Sequence, residues 1–332
     1  MISPLISVII PVHNGEKTIA ETIASLLQQT YSNWELIVIN DGSSDRTPIL
    51  IQDILAQHPH IQVRLVSYPQ TGACASRNRG AALAQGEFLA FLDADDVWTG
   101  DKLALQLQVL QNSPGAKVAY SWTDYMDVAG KYLYPGGHAT HQGNVYEYLL
   151  LGNFLENGSN ALICKDAFRK VGGFDESVMG GDEWDLFIRM AQPSAFRGEF
   201  VCEFVVVPQV QIFYRLSNQS LSARIDREAS ECLKVIDRAF QSSPPHLQHL
   251  KPKSIANLYR YLTFRGLSSD LAYTHSWLLM QYFLRCLYYD PQGLIQRGKL
   301  MAIVGLKLLI TLLLPKTLAR YLIINYQKRN RA

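Results

Sequence analysis

The sequence contains few cysteines, and their arrangement predicts neither a metal site nor a disulfide framework. They number five, at positions 74, 164, 202, 232 and 286, with no C-x-x-C spacing. An odd number of widely separated cysteines excludes a zinc site of the usual pattern and a small disulfide-stapled fold. We therefore expect a protein that works in a reducing compartment.

A large excess of charge of one sign is also missing. The 31 Lys and Arg nearly balance the 29 Asp and Glu, which gives a formal net charge of +2. Proteins that track phosphate backbones usually carry clustered positive charge, so nucleic acid is not expected as the main partner. The composition is 48% hydrophobic and 18% charged, which is typical of a globular protein. A chain of 332 residues can form one large domain, or one domain with a smaller appendage.

No hydrophobic run is long enough to predict a membrane-spanning helix, which needs about 20 apolar residues. The most apolar stretch is the 15 residues from Leu300 to Leu314, interrupted by Lys307 and followed by Pro315. The N-terminal "MISPLISVIIPVHNG" has no basic region before its short apolar run, so a signal peptide is not predicted. The last helices and the basic tail "QKRNRA" are expected either to pack on the protein or to lie at a membrane interface.

The first half of the chain alternates between strand and helix patterns. The apolar runs "LISVIIPV", "WELIVIN", "VRLVSY" and "EFLAFL" predict strands, and segments with helical spacing follow the first three. Thr47 and Pro48 are typical of a helix N-cap followed by an N1 proline. This alternation predicts an α/β fold with a doubly wound sheet. Ligands of such sheets bind beyond the carboxyl ends of the strands, where Asn14, Asp41 and residues 93–96 are expected to meet.

The fourth predicted strand ends in three acids, Asp93, Asp95 and Asp96. Like charges this close repel one another, and burying them is costly unless a cation neutralises them. Hard oxygen ligands of this kind favour Mg²⁺ or Mn²⁺. An isolated D-x-D-D is more often a solvated turn, but Asp41 in "NDGSSD" also follows a strand that should end at the same edge. Together these acids predict a metal-dependent site.

Three longer segments resemble the family 2 glycosyltransferases, which are inverting enzymes with the GT-A fold. They are "SVIIPVHNGEKTIAETIASLLQQTYSNWELIVINDGSSDRT", "GACASRNRGAALAQGEFLAFLDADDVW" and "GGDEWDLFIRM". The resemblance covers roughly residues 5–222, and its motifs occur in the order and spacing of the family. It implies a GT-A-like catalytic domain over residues 1–222 with a mixed sheet. The helical pattern from about Ile225 separately predicts a helical extension over residues 223–332, which is expected either to contact a membrane or to pack on the catalytic domain.

The resemblance also implies a reaction. A sugar would move from a nucleotide-diphosphate sugar, expected to be UDP-linked, to a hydroxyl of a growing glycan or lipid-linked saccharide, with inversion. Mg²⁺ or Mn²⁺ is the implied cofactor. The implied setting is cell-envelope polysaccharide synthesis in the cytoplasm, at the cytoplasmic face of the membrane.

Residue roles follow from the same resemblance. Asp95 is the implied metal ligand, assisted by Asp93, and Asp96 is expected to support them. The catalytic base is implied in "GGDEWDL", where the family usually has Glu-Asp and this chain has Asp-Glu. Glu183 therefore occupies the base position, and Asp182 is the alternative. The residues implied to bind the nucleotide sugar are Pro11, His13, Asn14, Glu16, Asp41, Arg77, Asn78, Asp93, Ala94 and Arg215.

One departure from the family pattern and three competing interpretations stay open. Ser217 stands where family members often carry His, which keeps a catalytically degenerate, membrane-associated subunit as one alternative. A sugar nucleotidyltransferase is a second, although its Gly-rich basic loop is missing. A dinucleotide oxidoreductase is disfavoured because no G-x-G-x-x-G follows the first strand. His138 and His141 are expected to be loop residues, and Trp122 is expected either in the core or lining an acceptor pocket.

Overall fold

A computed structural model describes residues 3–193, 202–216, 225–267 and 275–329. The chain forms two compact units, one of residues 1–149 and 153–223 and the other of residues 150–152 and 224–332. Ser217 lies outside the described residues, so the expectation that it replaces a family His is not addressed by the structure.

The first unit begins with the predicted alternation of strands and helices. Its elements up to the acidic motif are β1 Ile6–Val12, α1 Ile19–Leu27, β2 Trp34–Asp41, α2 Thr47–Gln57, β3 Val63–Tyr68, α3 Ala73–Leu83 and β4 Phe88–Phe91. Every residue of β1 is buried, as expected for a strand covered on both faces. The four predicted strands and the helices between them are confirmed.

The start of α2 differs by one residue from the prediction, which made Thr47 the cap of the helix. Thr47 is instead its first residue. The Asp45 carboxylate accepts hydrogen bonds from the Thr47 amide at 3.0 Å and from the Thr47 hydroxyl at 2.5 Å. Asp45 thus satisfies a free amide at the helix start, which is the role that the sequence pattern assigned to Thr47.

The second half of this unit completes a mixed sheet. Its elements are β5 Val97–Trp98, α4 Lys102–Gln111, β6 Ala116–Met126, β7 Tyr132–Pro135, α5 Tyr146–Leu151, β8 Leu162–Cys164, α6 Lys165–Lys170, α7 Asp182–Ala191 and β9 Glu203–Arg215. The last two residues of α5 are counted with the second unit. The strand order is β3-β2-β1-β4-β8-β6-β9-β5, and β7 pairs with β6. Strands β3, β2, β1 and β4 are parallel, whereas β8 is antiparallel to both neighbours. The predicted mixed, doubly wound sheet is therefore confirmed.

The core of this unit lies between the sheet and the helices that cover it. The cluster is built from alternate residues of the central strands and one face of α1 and α4, and it includes Val8, Ile10, Ile19, Ile23, Leu36, Val38, Ala90, Leu103 and Leu107. Because β1 and β4 are packed rigidly in this core, the loops that follow them start from fixed positions.

The second unit is helical. It contains α8 Ile225–Gln241, a 3-10 turn Pro245–Leu250, α9 Lys251–Leu267, α10 Ser276–Tyr289, α11 Pro291–Gln296, α12 Gly298–Leu313 and α13 Lys316–Arg329. Helix α9 packs closely on α10, since a Cβ on Gly266 would lie 2.4 Å from a methyl carbon of Leu279. Within the ranges that the structure describes, none of the helices has the length and apolar character needed to cross a membrane.

Candidate active site

The loops after β1 and β2 contact one another at the carboxyl edge of the sheet. The His13 ring lies with Nδ1 2.8 Å from the backbone oxygen of Asp41. Asn14 adopts a left-handed backbone conformation, with φ of 52°, and its amide donates to the Ser43 hydroxyl at 3.0 Å. The Glu16 carboxylate accepts the Arg46 amide at 3.1 Å. These three side chains are exposed at the edge where the sequence predicted the nucleotide pocket.

Pro11 and Asp41 are less accessible than those three. Pro11 is a buried residue within β1, paired with Ile39 of β2. The buried Asp41 carboxylate accepts the Thr71 and Gly72 amides, each at 2.8 Å. In this structure Asp41 therefore holds the turn that leads into α3, the helix that carries Arg77 and Asn78.

Each acid after β4 has a different environment. Asp93 is partly buried and accepts a hydrogen bond from Arg77 at 2.6 Å. Burial and the nearby Asp93 carboxylate raise the pKa of Asp95 to about 6. Asp96 is fully buried, and burial followed by the charge of Asp95 raises its pKa well above the usual range. The backbone oxygen of Ala94, between these acids, accepts the Thr18 hydroxyl at 2.8 Å.

Asp96 supports the loop from beneath. Its two carboxylate oxygens accept the Ser159 hydroxyl at 2.5 Å and the Arg215 amide at 3.0 Å. Ser159 also accepts the Asp93 amide at 3.0 Å, so one serine fastens both ends of the acidic motif. Ser159 was not predicted from the sequence, although its polar setting in "ENGSN" is a weak signal.

Arg215 is engaged within the protein, and its side chain is only 3% exposed. Its Nε donates to the backbone oxygen of Asp95 at 2.8 Å, and its Nη2 donates to the Glu21 carboxylate at 2.5 Å. Its Nη1 donates to the backbone oxygen of Val128 at 3.2 Å. In this arrangement Arg215 fixes the acidic loop, whereas direct binding of a diphosphate stays a prediction.

The carboxylates of this loop suit a metal ion that also binds a phosphate of the substrate. Among the residues that the structure describes, no group of three or more His, Cys, Asp and Glu side chains is placed to hold a metal alone. Mg²⁺ usually takes one or two protein carboxylates and completes its shell with water and substrate phosphate. Asp93 and Asp95 supply that number, and the repulsion that raises the pKa of Asp95 is the kind that a cation relieves. The residues therefore fit a metal-diphosphate complex.

Arg77 joins the acidic loop to α7. Its side chain is 7% exposed, and its two terminal nitrogens donate to Asp93 and Asp182, each at 2.6 Å. A Cβ on Gly158 would lie 3.0 Å from the nearer of these nitrogens, so backbone packs directly against the guanidinium. The structure thus brings together three of the predicted site residues through one buried cation.

Asn78, in the same helix, faces a different loop. Its side-chain oxygen accepts the Phe174 amide at 3.0 Å, and its side-chain nitrogen donates to the Phe174 backbone oxygen at 2.9 Å. Gly173 adopts φ of 71°, and a Cβ there would approach the Asn78 side-chain oxygen to 2.7 Å. Asn78 therefore fastens the loop that precedes α7.

The first turn of α7 presents three acids with distinct partners. The helix follows Gly181, which has φ of 73°, a left-handed conformation that glycine adopts easily. Asp182 is held by Arg77, and the buried Asp185 accepts Arg189 Nε at 2.7 Å. Burial and the adjacent Asp182 carboxylate raise the pKa of Glu183 well above its usual range, although Arg77 opposes this. A carboxylate with a raised pKa suits a proton acceptor, which makes Glu183 a candidate for that role.

A second polar cluster lies on β6 and the loop that follows β7. His138 Nε2 is 2.8 Å from Asp124 Oδ1, and its ring stacks on Trp122 with centroids 4.7 Å apart. No acid partner of His138 was predicted from the sequence, because Asp124 lies 14 residues away on a different element. Glu156 accepts the Gly137 amide at 2.6 Å, and its burial raises its pKa to about 7.

Comparison with protein families gives a match to the family described as glycosyltransferase like family 2, over residues 7–266. Escherichia coli UDP-Glc:alpha-D-GlcNAc-diphosphoundecaprenol beta-1,3-glucosyltransferase is 35% identical over 136 residues, covering 40% of this chain and 51% of that protein. A putative teichuronic acid biosynthesis glycosyltransferase of Bacillus subtilis is 40% identical over 125 residues, covering 37% of this chain and 47% of that protein. The chain thus spans about half the length of these relatives.

Among solved structures, a mannosyltransferase from Pyrobaculum calidifontis in complex with GDP-Man and Mn²⁺ has a similar fold. Its TM-score is 0.56 at 18% identity, with 91% of this chain and 86% of that chain covered. The sheet topology described above therefore corresponds to a known architecture, the GT-A type. With a family match over most of its length, the chain belongs to the family 2-like glycosyltransferases and has a GT-A type fold with a helical C-terminal part.

Proposed function

We propose that the protein transfers a sugar from a nucleotide-diphosphate sugar to a hydroxyl of a growing glycan or lipid-linked saccharide, with inversion. The observation that carries the proposal is the Asp93–Arg77–Asp182 bridge, with both contacts at 2.6 Å. It fastens the acidic loop, which suits a metal-diphosphate complex, to the helix end that carries Glu183. The donor can therefore bind next to the carboxylate that would accept the proton of the acceptor hydroxyl.

The proposed donor is UDP-linked, and the proposed acceptor is lipid-linked. The name of the Escherichia coli relative gives UDP-glucose as its donor and a diphosphoundecaprenol-linked sugar as its acceptor. The Bacillus subtilis relative is assigned to teichuronic acid synthesis, another envelope glycan. These names support an envelope polysaccharide as the product. Reaction at the cytoplasmic face of the membrane is part of the proposal.

Glu183 is the proposed catalytic base. Inverting transfer needs one group to accept the proton of the attacking hydroxyl, and a single carboxylate suffices. The raised pKa of Glu183 makes it a stronger base than an ordinary surface glutamate. Asp182 is the alternative, and its carboxylate is already engaged in the ion pair with Arg77.

Asp95, assisted by Asp93, would hold Mg²⁺ or Mn²⁺ together with the donor diphosphate. When bound, the cation would neutralise the charge that develops on the leaving diphosphate. Asp96, Ser159 and Arg215 keep the backbone of this loop in place through the hydrogen bonds described above. A loop held in this way needs less rearrangement when the donor binds.

A panel of nucleotide sugars, assayed with and without Mn²⁺ for release of the nucleoside diphosphate, tests this function. We expect Mn²⁺-dependent release of UDP from one or a few UDP-sugars, stimulated by a lipid-linked saccharide acceptor. Release of pyrophosphate from UTP and a sugar 1-phosphate would instead indicate a nucleotidyltransferase. Absence of turnover together with absence of nucleotide binding would indicate a catalytically degenerate subunit.

A further inference from the structure

The solvent face of α12 is apolar. Leu306, Leu309 and Leu313 are spaced by three and four residues, so they lie on one face of the helix. Their exposed fractions are 54%, 46% and 72%. A surface helix normally presents polar and charged side chains to water. The exposed leucines therefore form an apolar stripe, which we call the α12 stripe.

The inner face of α12 is already occupied within its own unit. Met301, Val304 and Leu308 are buried. A Cβ on Gly305 would lie 3.3 Å from the ring of Phe283, which belongs to α10. The α12 stripe is therefore a second apolar face, additional to the one that holds the helix in the protein.

Positive charge without acidic residues is concentrated in the C-terminal segment that contains α12. Residues 291–332 contain eight Lys and Arg and no Asp or Glu, whereas residues 1–290 contain all 29 acids and 23 Lys and Arg. Arg297, Lys299, Lys316 and Arg320 are exposed near the two ends of α12. The near-neutral total of the chain thus conceals a basic C-terminal segment.

An open cleft of about 520 Å³ lies where α11 meets α12. Its lining combines two cationic side chains with apolar ones, and comprises Gln296, Arg297, Gly298, Lys299, Leu300 and Ile303. Cations beside apolar surface match the chemistry of an anionic phospholipid, which has a phosphate at one end and hydrocarbon behind it.

We propose that the α12 stripe and its flanking cations dock on the surface of an anionic lipid bilayer. An interfacial helix needs apolar side chains for the acyl boundary and cations for the headgroups, and this segment has both. A second copy of the chain fits less well, because two segments without acidic residues would repel each other. The proposal concerns attachment and does not depend on the transfer reaction.

Co-sedimentation of the full-length protein with vesicles tests the proposal. One set of vesicles contains phosphatidylcholine alone, and the other contains phosphatidylcholine with phosphatidylglycerol. We expect sedimentation with the anionic vesicles that weakens as salt is raised, since the cations are screened. Failure to sediment with anionic vesicles at low salt would overturn the proposal.

Two variants separate the apolar and the charged contributions. Replacing the three leucines of the α12 stripe with serine should reduce binding by about tenfold or more, because the acyl contact is lost. The matched control places serine at Val128 and Leu133, exposed apolar residues of the other unit, and should bind as wild type.

The charge variant is Lys299→Glu with Lys316→Glu, compared with Lys131→Glu as control. It should lose the preference for anionic vesicles, whereas the control should keep it. Equal binding by the leucine variant and the wild type would contradict the proposal. So would a wild-type dimer, seen by size exclusion, that the leucine variant converts to a monomer, because the stripe would then be an interface between copies.

Discussion

Arg77 donates a hydrogen bond to Asp182 at 2.6 Å across 105 residues of sequence, while its other terminal nitrogen holds Asp93 at the same distance. Each carboxylate belongs to a different functional segment, the loop after β4 and the start of α7. A single buried guanidinium therefore sets the spacing between the proposed donor site and the proposed base.

Replacement of Arg77 should destabilise the protein and abolish transfer. Arg77→Gln leaves Asp93 and Asp182 without their cation, and removal of one partner from a buried ion pair costs about 3 kcal/mol or more. Urea unfolding of the purified chain measures this loss. Arg79→Gln, two residues further along α3 and partly exposed, is the matched control and should change the unfolding free energy far less. Equal stability of the two variants would contradict the bridging role.

Replacement of Glu183 should separate binding from transfer. Glu183→Gln should bind UDP and Mn²⁺ as wild type but lose transfer by about 10²-fold or more, which is typical of a general base. Asp182→Asn, its control, should lose less, because Asn can still accept a hydrogen bond from Arg77. A dead Asp182→Asn beside a nearly normal Glu183→Gln would assign the base to Asp182. Initial rates with saturating donor decide between the two.

Asp95 and Asp96 should respond differently to loss of charge. Asp95→Asn should lower Mn²⁺-dependent transfer by about 10²-fold. Its thermal melt should stay cooperative, because the substitution removes the repulsion with Asp93. Asp96→Ala should lower the melting temperature, since the Ser159 hydroxyl and the Arg215 amide lose their acceptor. Calorimetric titration of each variant with Mn²⁺ and UDP completes the comparison. Undiminished turnover of Asp95→Asn would rule out its assignment as the metal ligand.

Glu156 should make the stability of the first unit depend on pH. Its pKa is raised by burial from 4.5 to about 7, so the folded state binds the proton more tightly than the unfolded state. The free energy of unfolding should therefore fall as pH rises from about 4.5 to about 7, because protons leave the unfolded chain first. Glu156→Gln should reduce this fall and should gain stability relative to wild type at pH above that window. Denaturant titrations across the window measure both effects, and an unchanged pH dependence would contradict the assignment.

The parts of the fold that could be predicted were those with local patterns. The apolar runs of β1 to β4 and the helical spacing of α1 and α2 depend on neighbours in sequence, and the acidic loop followed from its position after β4. The partners of that loop could not be read in this way. Ser159 and Arg215 reach Asp96 across 63 and 119 residues, and Glu21 meets Arg215 across 194. Such pairings depend on the strand order, which local patterns do not specify.

Asp41 and Arg215 are both buried, and their contact with the donor stays a prediction. Motif position indicated direct contact with the donor, whereas the geometry gives each of them backbone partners: the Thr71 and Gly72 amides for Asp41, and the Asp95 carbonyl for Arg215. A motif indicates that a residue belongs to a site. It does not distinguish a residue that touches the ligand from one that holds the loop in place.

The dependence of the acidic loop on β9 has a consequence for biosynthesis. A ribosome delivers β1 to β4 and the three acids long before it delivers Arg215, which donates to both Asp95 and Asp96. A nascent chain released before β9 is made would contain β1 to β4. Its Asp96 carboxylate would lack one hydrogen-bond donor, the Arg215 amide. Ribosome-bound chains of increasing length should therefore acquire protease resistance at the acidic loop only after residue 215 has emerged from the exit tunnel.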